Sequence, residues 1–153
     1  MIHQYLHLPD CNNYKKNVME IGLENTYLKI SVKSKGAELF SIVRKEENLE
    51  YIWSGDPLVW GKTSPILFPI VGTLKNDIYI YKDKSYRLPR HGFARDSEFE
   101  IIRHEKQHAT FLLKDTPHSL KNYPFTFELL VDYVLDNEIL KVTYEVRNIG
   151  ADD

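Results

Sequence analysis

At 153 residues the chain has room for one ordinary domain and enough length to bury a real core. Its 20 basic and 22 acidic residues leave a formal charge of -2, which supplies none of the positive field that nucleic acid or anionic lipid would require, so neither is expected as a partner. No apolar run nears the roughly 18 residues of a membrane span, and the start MIHQYLHLPD lacks the basic head and apolar middle of a secretory signal, so the sequence reads as that of a cytoplasmic protein.

Residues 1–18 are polar and weakly patterned and read as an N-terminal extension, with the folded unit expected over 19–153. Cys11 is the only cysteine, which excludes an internal disulfide and a thiolate zinc site and leaves a free thiol in an arm. His3 and His7 lie close together there but lack a third ligand. From Thr26 the period is two: Leu28, Ile30 and Val32 share one face of a strand, and Lys29 and Ser31 the other. A turn at Ser34-Lys35-Gly36 leads into a second strand, AELFSIV, making a hairpin, and LEYIW reads as a third short strand stopped by Gly55-Asp56-Pro57.

The segment PLVWGKTSPILFPIVG, residues 57–72, has three prolines and two glycines among large apolar side chains, which opposes a long helix and favours an irregular segment packed on a sheet. A hairpin follows, with its turn at Asp83-Lys84, and leads directly into LPRHGFARD. The remainder reads as a meander with strands at 98–103, 109–114, 125–135 and 139–147. Phe127, Leu129, Val131 and Tyr133 alternate well, as do Leu140, Val142, Tyr144 and Val146, across a turn at Asp136-Asn137-Glu138. Ten tyrosines and seven phenylalanines suit such half-buried sheet surfaces, and the fold class expected from the residues alone is all-β, with antiparallel hairpins and a meander.

Chemistry concentrates in LPRHGFARD. An imidazole can donate or accept a proton near neutral pH, and Gly92 leaves room for a ligand to approach His91, which reads either as a ligand contact or as a loop histidine bonded to backbone. Arg90 and Arg95 can hold hydroxyl or phosphate oxygens, or pair with Asp96, Glu98 or Glu100. Trp53, Trp60, Phe68 and Phe93 can stack on the C–H face of a pyranose or fill the core. His104, His108 and His118, in polar surroundings, read as solvated surface. No G-x-S-x-G, H-E-x-x-H, Walker-type loop or dinucleotide fingerprint is present, so hydrolase, protease, kinase and dehydrogenase readings lack support.

Taken in order, LENTYLKISVKSKGAELFSI, YIWSGDPLVWGKTSPILFPIVGTLKND and YRLPRHGFARDSEFEI resemble aldose 1-epimerases of the galactose mutarotase family, especially their LacX-like branch. HGFARD is also similar to the hexose-6-phosphate 1-epimerases of the same superfamily. The resemblance runs from Met19 to the C-terminus and implies a β-sandwich that is part of a galactose-mutarotase-like supersandwich. It implies interconversion of the α and β anomers of a hexose or hexose phosphate, a small-molecule sugar partner and no cofactor, because only protons move.

In that family a late glutamate is the usual base, a histidine of the second half the usual acid, and an earlier His-Gly histidine binds near the ring oxygen; His91 matches the last of these. Where the galactose type has an Asn-Arg pair this chain has Asn76-Asp77, and where LacX-like members carry arginine it has Thr73. Arg95 is the natural replacement cation and Lys62 a second, so the resemblance assigns His91 as the catalytic residue present and Arg95, Asn76, Trp60, Lys62 and Arg90 as substrate-binding residues. Family members are nearly twice as long, and the second histidine and the glutamate base would fall beyond Asp153. The expectation is an N-terminal half that is inactive or nearly so alone. Two rivals are a non-catalytic carbohydrate-binding module and a half-sandwich whose exposed sheet edges recruit a second copy into a homo-oligomer.

Overall fold

The computed structural model describes residues 18–151, so the readings of His3, His7 and Cys11, and of nearly all of the expected extension, fall outside the described residues. Alternation at Leu28, Ile30 and Val32 becomes strand β2, Leu28–Lys33, with all three side chains buried. It lies between β1, Glu20–Glu24, and β3, Glu38–Arg44, and β4, Leu49–Glu50, completes a sheet of order β1-β2-β3-β4. A two-stranded hairpin follows, β5, Ile78–Tyr81, with β6, Lys84–Arg87. The second large sheet contains β7, Glu100–His104, β8, His108–Lys114, β9, Phe127–Asp136, and β10, Ile139–Asn148, in the order β10-β9-β8-β7. Every strand pair is antiparallel, and the helical pieces described are three single 3-10 turns.

The two four-stranded sheets share one core: Leu23, Ile30 and Val32 belong to it from the first, and Phe111, Leu129, Val131 and Tyr133 from the second. The layers are also tied by polar contacts. The Glu24 amide donates to the Lys106 carbonyl at 2.8 Å, and the Asn25 side-chain amide donates to the Asn137 carbonyl at 2.8 Å. Buried Tyr133 donates its hydroxyl to the Ala37 carbonyl at 2.8 Å, and burial raises its phenol pKa far above the ordinary range. Tyr133→Phe keeps the ring but orphans that carbonyl, so thermal or denaturant unfolding is expected to show a loss of about 1–3 kcal/mol. An unchanged midpoint would show that the bond contributes nothing net.

Several sequence expectations shift in the structure. β1 is a full strand, where the sequence reading marks only the start of the folded unit at Met19. The LEYIW strand shrinks to Leu49–Glu50, because the Glu50 carboxylate accepts the Ile42 and Ile52 amides, at 2.8 Å each, and the side chain takes the place of further ladder bonds. The β5–β6 turn falls at Lys82-Asp83, one residue early, and both have positive φ, as a tight type I′ hairpin requires. The irregular segment is only partly packed: Ile66 is buried, whereas Leu58 and Val59 are 93% and 76% exposed. On β10 the alternation is present, yet Tyr144 and Val146 are 58% and 56% exposed, although they lie opposite Val131 and Leu129 on the core side of β9.

Candidate functional site

LPRHGFARD leaves β6 and doubles back against the irregular segment that precedes β5. The Leu88 amide donates to the Asp77 carbonyl at 2.9 Å, and the Gly92 amide to the Pro89 carbonyl at 2.9 Å, closing a tight turn. His91 and Gly92 both have positive φ, 69° and 70°. For Gly92 that conformation is free of steric cost, and only glycine fits the space, since a Cβ there would stand 2.1 Å from the Phe68 carbonyl oxygen. That same oxygen accepts the Phe93 and Ala94 amides at 2.9 and 3.2 Å. On its other side the loop meets the β2–β3 turn: a Cβ on Gly36 would be 2.7 Å from the Arg95 carbonyl oxygen, and the Gly36 amide donates to the Ser97 carbonyl at 2.7 Å. Beneath, Phe68, Phe93, Tyr123 and Phe127 form an aromatic cluster with ring centroids 5.1–6.1 Å apart.

The His91 ring is fixed by backbone. Its own amide donates to the Gly72 carbonyl at 2.8 Å, and the Gly72 amide donates back to Nδ1 at 3.0 Å. A backbone N–H can only donate, so Nδ1 is the acceptor and the proton of the neutral ring sits on Nε2. Arg90 Nε lies 3.1 Å from Nε2, but two donors cannot share that line. The exposed Arg90 side chain is the one that can turn aside. Desolvation, followed by the charges of Arg90 and Arg95, lowers the His91 pKa from the ordinary 6.5, so the ring is neutral at pH 7 and presents an Nε2–H donor.

Arg95, on the 3-10 turn Ala94–Asp96, contacts the neighbouring Asp96 carboxylate through Nε at 3.2 Å. Lys62 is held by the same turn: its ammonium donates to the Arg95 carbonyl at 3.2 Å and lies 3.4 Å from Asp96 and 3.8 Å from Glu38. Glu38 is buried and accepts both the amide and the hydroxyl of Thr63, at 2.6 and 2.9 Å. Lys62 is thus committed to two carboxylates, whereas among the described residues the Arg95 guanidinium has one partner, the exposed Asp96 carboxylate. Trp60 is half exposed two residues before Lys62, and its carbonyl accepts the Trp53 indole N–H at 3.1 Å. Asn76 sits in the 3-10 turn Lys75–Asp77 with φ 57°, and among the described residues no hydrogen bond joins it to His91 or Arg95.

The structure therefore brings His91, Arg90, Arg95 and Lys62 together and leaves Trp60 at the margin and Asn76 apart. Sequence reading named Phe68 as a stacking or core aromatic and Gly36 as a turn residue but missed Gly72, Glu38 and the support that all four give the loop, because they are distant from it in the chain. The one local signal among them is a carboxylate at Glu38 in an otherwise apolar strand start. Of the other histidines, His104 and His118 are exposed, but His108 is half-buried against Asp132 at 3.0 Å. Beside the loop, an open depression of about 420 Å³ is lined by Leu88, Pro89, Phe93, Lys114 and His118. Among the described residues no cluster of three metal-ligating side chains occurs, and no helix is long and apolar enough to cross a membrane.

Comparison with known proteins adds three findings. Residues 19–153 match the family model described as aldose 1-epimerase. A curated relative, the chromosomal protein LacX of Lactococcus lactis subsp. lactis, is 38% identical over 139 residues, which cover 88% of this chain and 46% of the relative. The chain thus spans about half the length of the curated relatives it matches. Among solved structures, a galactose mutarotase related enzyme from Lactobacillus acidophilus superposes with a TM-score of 0.83 at 45% identity, over 85% of this chain and 43% of that one. A galactose mutarotase-like protein from Lactobacillus casei ATCC 334 superposes with a TM-score of 0.82 at 38% identity, over 85% and 44%.

Proposed function

This chain belongs to the aldose 1-epimerase family, and from that premise we propose that its residues 19–153 supply the sugar-positioning part of a site that interconverts the α and β anomers of a hexose or hexose phosphate. The reaction moves two protons. A base takes the proton of the anomeric hydroxyl, the bond from C1 to the ring oxygen breaks as C1 becomes a carbonyl, and an acid protonates the ring oxygen. Rotation about the C1–C2 bond and the reverse steps give the other anomer.

The observation that carries the reading is the His91 ring, locked through Nδ1 by a backbone amide so that a neutral Nε2–H faces outward. Such a group donates a hydrogen bond to the ring oxygen or a ring hydroxyl. Arg95, and Arg90 once turned from the imidazole, supply charged donors for hydroxyl or phosphate oxygens. Trp60 offers an apolar face at the margin, with Lys62 anchoring the Arg95 turn and Asn76 a more distant polar contact. In the same reading the base and second histidine expected from the family resemblance are not among these 153 residues. The chain alone then binds sugar without turning it over at the rate of a complete member.

Calorimetric titration with galactose and with glucose 6-phosphate tests the binding half. His91→Ala is expected to weaken binding about tenfold, the cost of roughly one hydrogen bond to a polar ligand. Because the pKa of His91 is lowered, affinity should hold steady above pH 6.5 and fall as the pH drops through the depressed value, where protonating Nδ1 breaks the bond from Gly72. Tighter binding of the phosphate ester that is lost in Arg95→Ala would assign the guanidinium to the phosphate. Equal binding by wild type and His91→Ala would remove the imidazole from the site.

A further inference from the structure

Glu38 is the one charged side chain that is buried among the described residues, and the proton transfers of anomer exchange do not use it. A carboxylate kept from water is costly unless its oxygens are partnered, and the two oxygens of Glu38 have different partners. Oε1 accepts the Thr63 amide at 2.6 Å and the Thr63 hydroxyl at 2.9 Å, which fastens the irregular segment to the start of β3. Oε2 lies 3.8 Å from the Lys62 ammonium. That ammonium donates to the Arg95 carbonyl at 3.2 Å and stands 3.4 Å from Oδ1 of Asp96, whose Oδ2 lies 3.2 Å from Arg95 Nε. Charge therefore alternates from the interior outward, through Glu38, Lys62, Asp96 and Arg95. Gly36 packs against the same Arg95 carbonyl, so closely that a Cβ would stand 2.7 Å from its oxygen. The β2–β3 turn and the start of β3 thus grip the Arg95 backbone from two sides.

We infer that Glu38 is a positioning residue for the sugar site: acting through Lys62, it holds Asp96 to one edge of the Arg95 guanidinium and leaves the rest of that fork to the phosphate oxygens of a hexose phosphate. This rests on the reading of Arg95 as a ligand-binding cation. Burial decides which link governs Lys62. The Asp96 side chain is 56% exposed, so its pair with Lys62 is screened and worth little, whereas the Glu38 side chain is 7% exposed and its pair is screened far less. Without the Glu38 charge the ammonium moves out toward solvent. Oδ1 of Asp96 then loses its partner, and the carboxylate turns both oxygens to the guanidinium as a bidentate pair. A ligand phosphate must displace Asp96 instead of joining an open edge.

Glu38→Gln separates the roles of the two oxygens, because the amide oxygen still accepts from Thr63 while the amide nitrogen meets Lys62 donor to donor. The first readout needs no sugar. In heteronuclear NMR spectra of the 153-residue chain, the Arg95 Nε–H resonance is assigned by its loss in Arg95→Lys. It is expected to move the same way in Glu38→Gln and in Lys62→Met, and no further in the double variant. Thr63→Ala, which loosens Glu38 from the segment but keeps Lys62, should leave it in place. The second readout is calorimetric. Glu38→Gln is expected to weaken glucose 6-phosphate about threefold, the order of one partly exposed ion pair, with less than half that effect on galactose. In an Asp96→Asn background the same substitution should no longer weaken it. The sign separates positioning from simple charge, since removing a negative group would by its field alone tighten a phosphate ester. An Arg95 resonance that Glu38→Gln leaves unmoved, or that Thr63→Ala moves equally, would overturn the proposal, as would phosphate-ester affinity that holds or rises in Glu38→Gln. A wild-type chain that binds neither sugar would overturn the proposed function instead, and the resonance alone then decides whether Glu38 sets Arg95.

Discussion

Gly92→Ala is expected to cost about 3–5 kcal/mol of stability and to abolish His91-dependent sugar binding, the residue's small size notwithstanding. Two effects add. A φ of 70° is strained for any residue with a Cβ, and the new methyl would stand 2.1 Å from the Phe68 oxygen and 2.5 Å from its carbonyl carbon, so the backbones must part. Parting them breaks the bonds from the Phe93 and Ala94 amides to Phe68 and carries His91 away from Gly72. Gly72→Ala is the control: its φ is 90° but no atom lies within 4 Å of the added Cβ, so only the conformational strain of roughly 1–2 kcal/mol remains. Chemical denaturation of both variants checks the claim, and equal losses would show that the approach to Phe68 is not what matters.

Phe127→Ala should be comparably damaging, at about 3–5 kcal/mol, by leaving a cavity where a 2% exposed ring now stands. Its ring lies 5.1 Å from Phe68, 6.0 Å from Phe93 and 5.8 Å from Tyr123, so it supports both segments that hold His91. Phe127→Leu keeps much of the volume and should recover about half the loss. The cluster role predicts that sugar affinity falls with stability in the alanine variant even though Phe127 touches no ligand. A loss below about 1 kcal/mol would mean that the cluster is filled from elsewhere.

Much of this architecture is legible in the sequence because strand periodicity survives tertiary packing. Leu28, Ile30 and Val32, and Phe127, Leu129, Val131 and Tyr133, are buried as their alternation requires. Tyr144 and Val146 alternate equally well and are exposed, since periodicity fixes which face a side chain takes but not whether anything covers that face. β1 and the shortened β4 are less legible: the first offers only two core-facing residues, Ile21 and Leu23, and a side-chain carboxylate ends the second. At the site, LPRHGFARD stands out as a segment, and the order of its flanking blocks carries the family resemblance. What determines its chemistry is not visible there, because the tautomer of His91 depends on Gly72, nineteen residues earlier, and the commitment of Lys62 depends on buried Glu38.

The central claim is that this chain holds the sugar-positioning histidine of an anomer-exchange site without the partner groups that complete the reaction. Polarimetry of freshly dissolved α-galactose, with sugar binding followed by titration on the same samples, addresses it most directly. The predicted result is binding that weakens in His91→Ala, together with a rotation that relaxes no faster with the wild-type chain than with that variant. Relaxation at the rate of a full-length family member assayed alongside would contradict it.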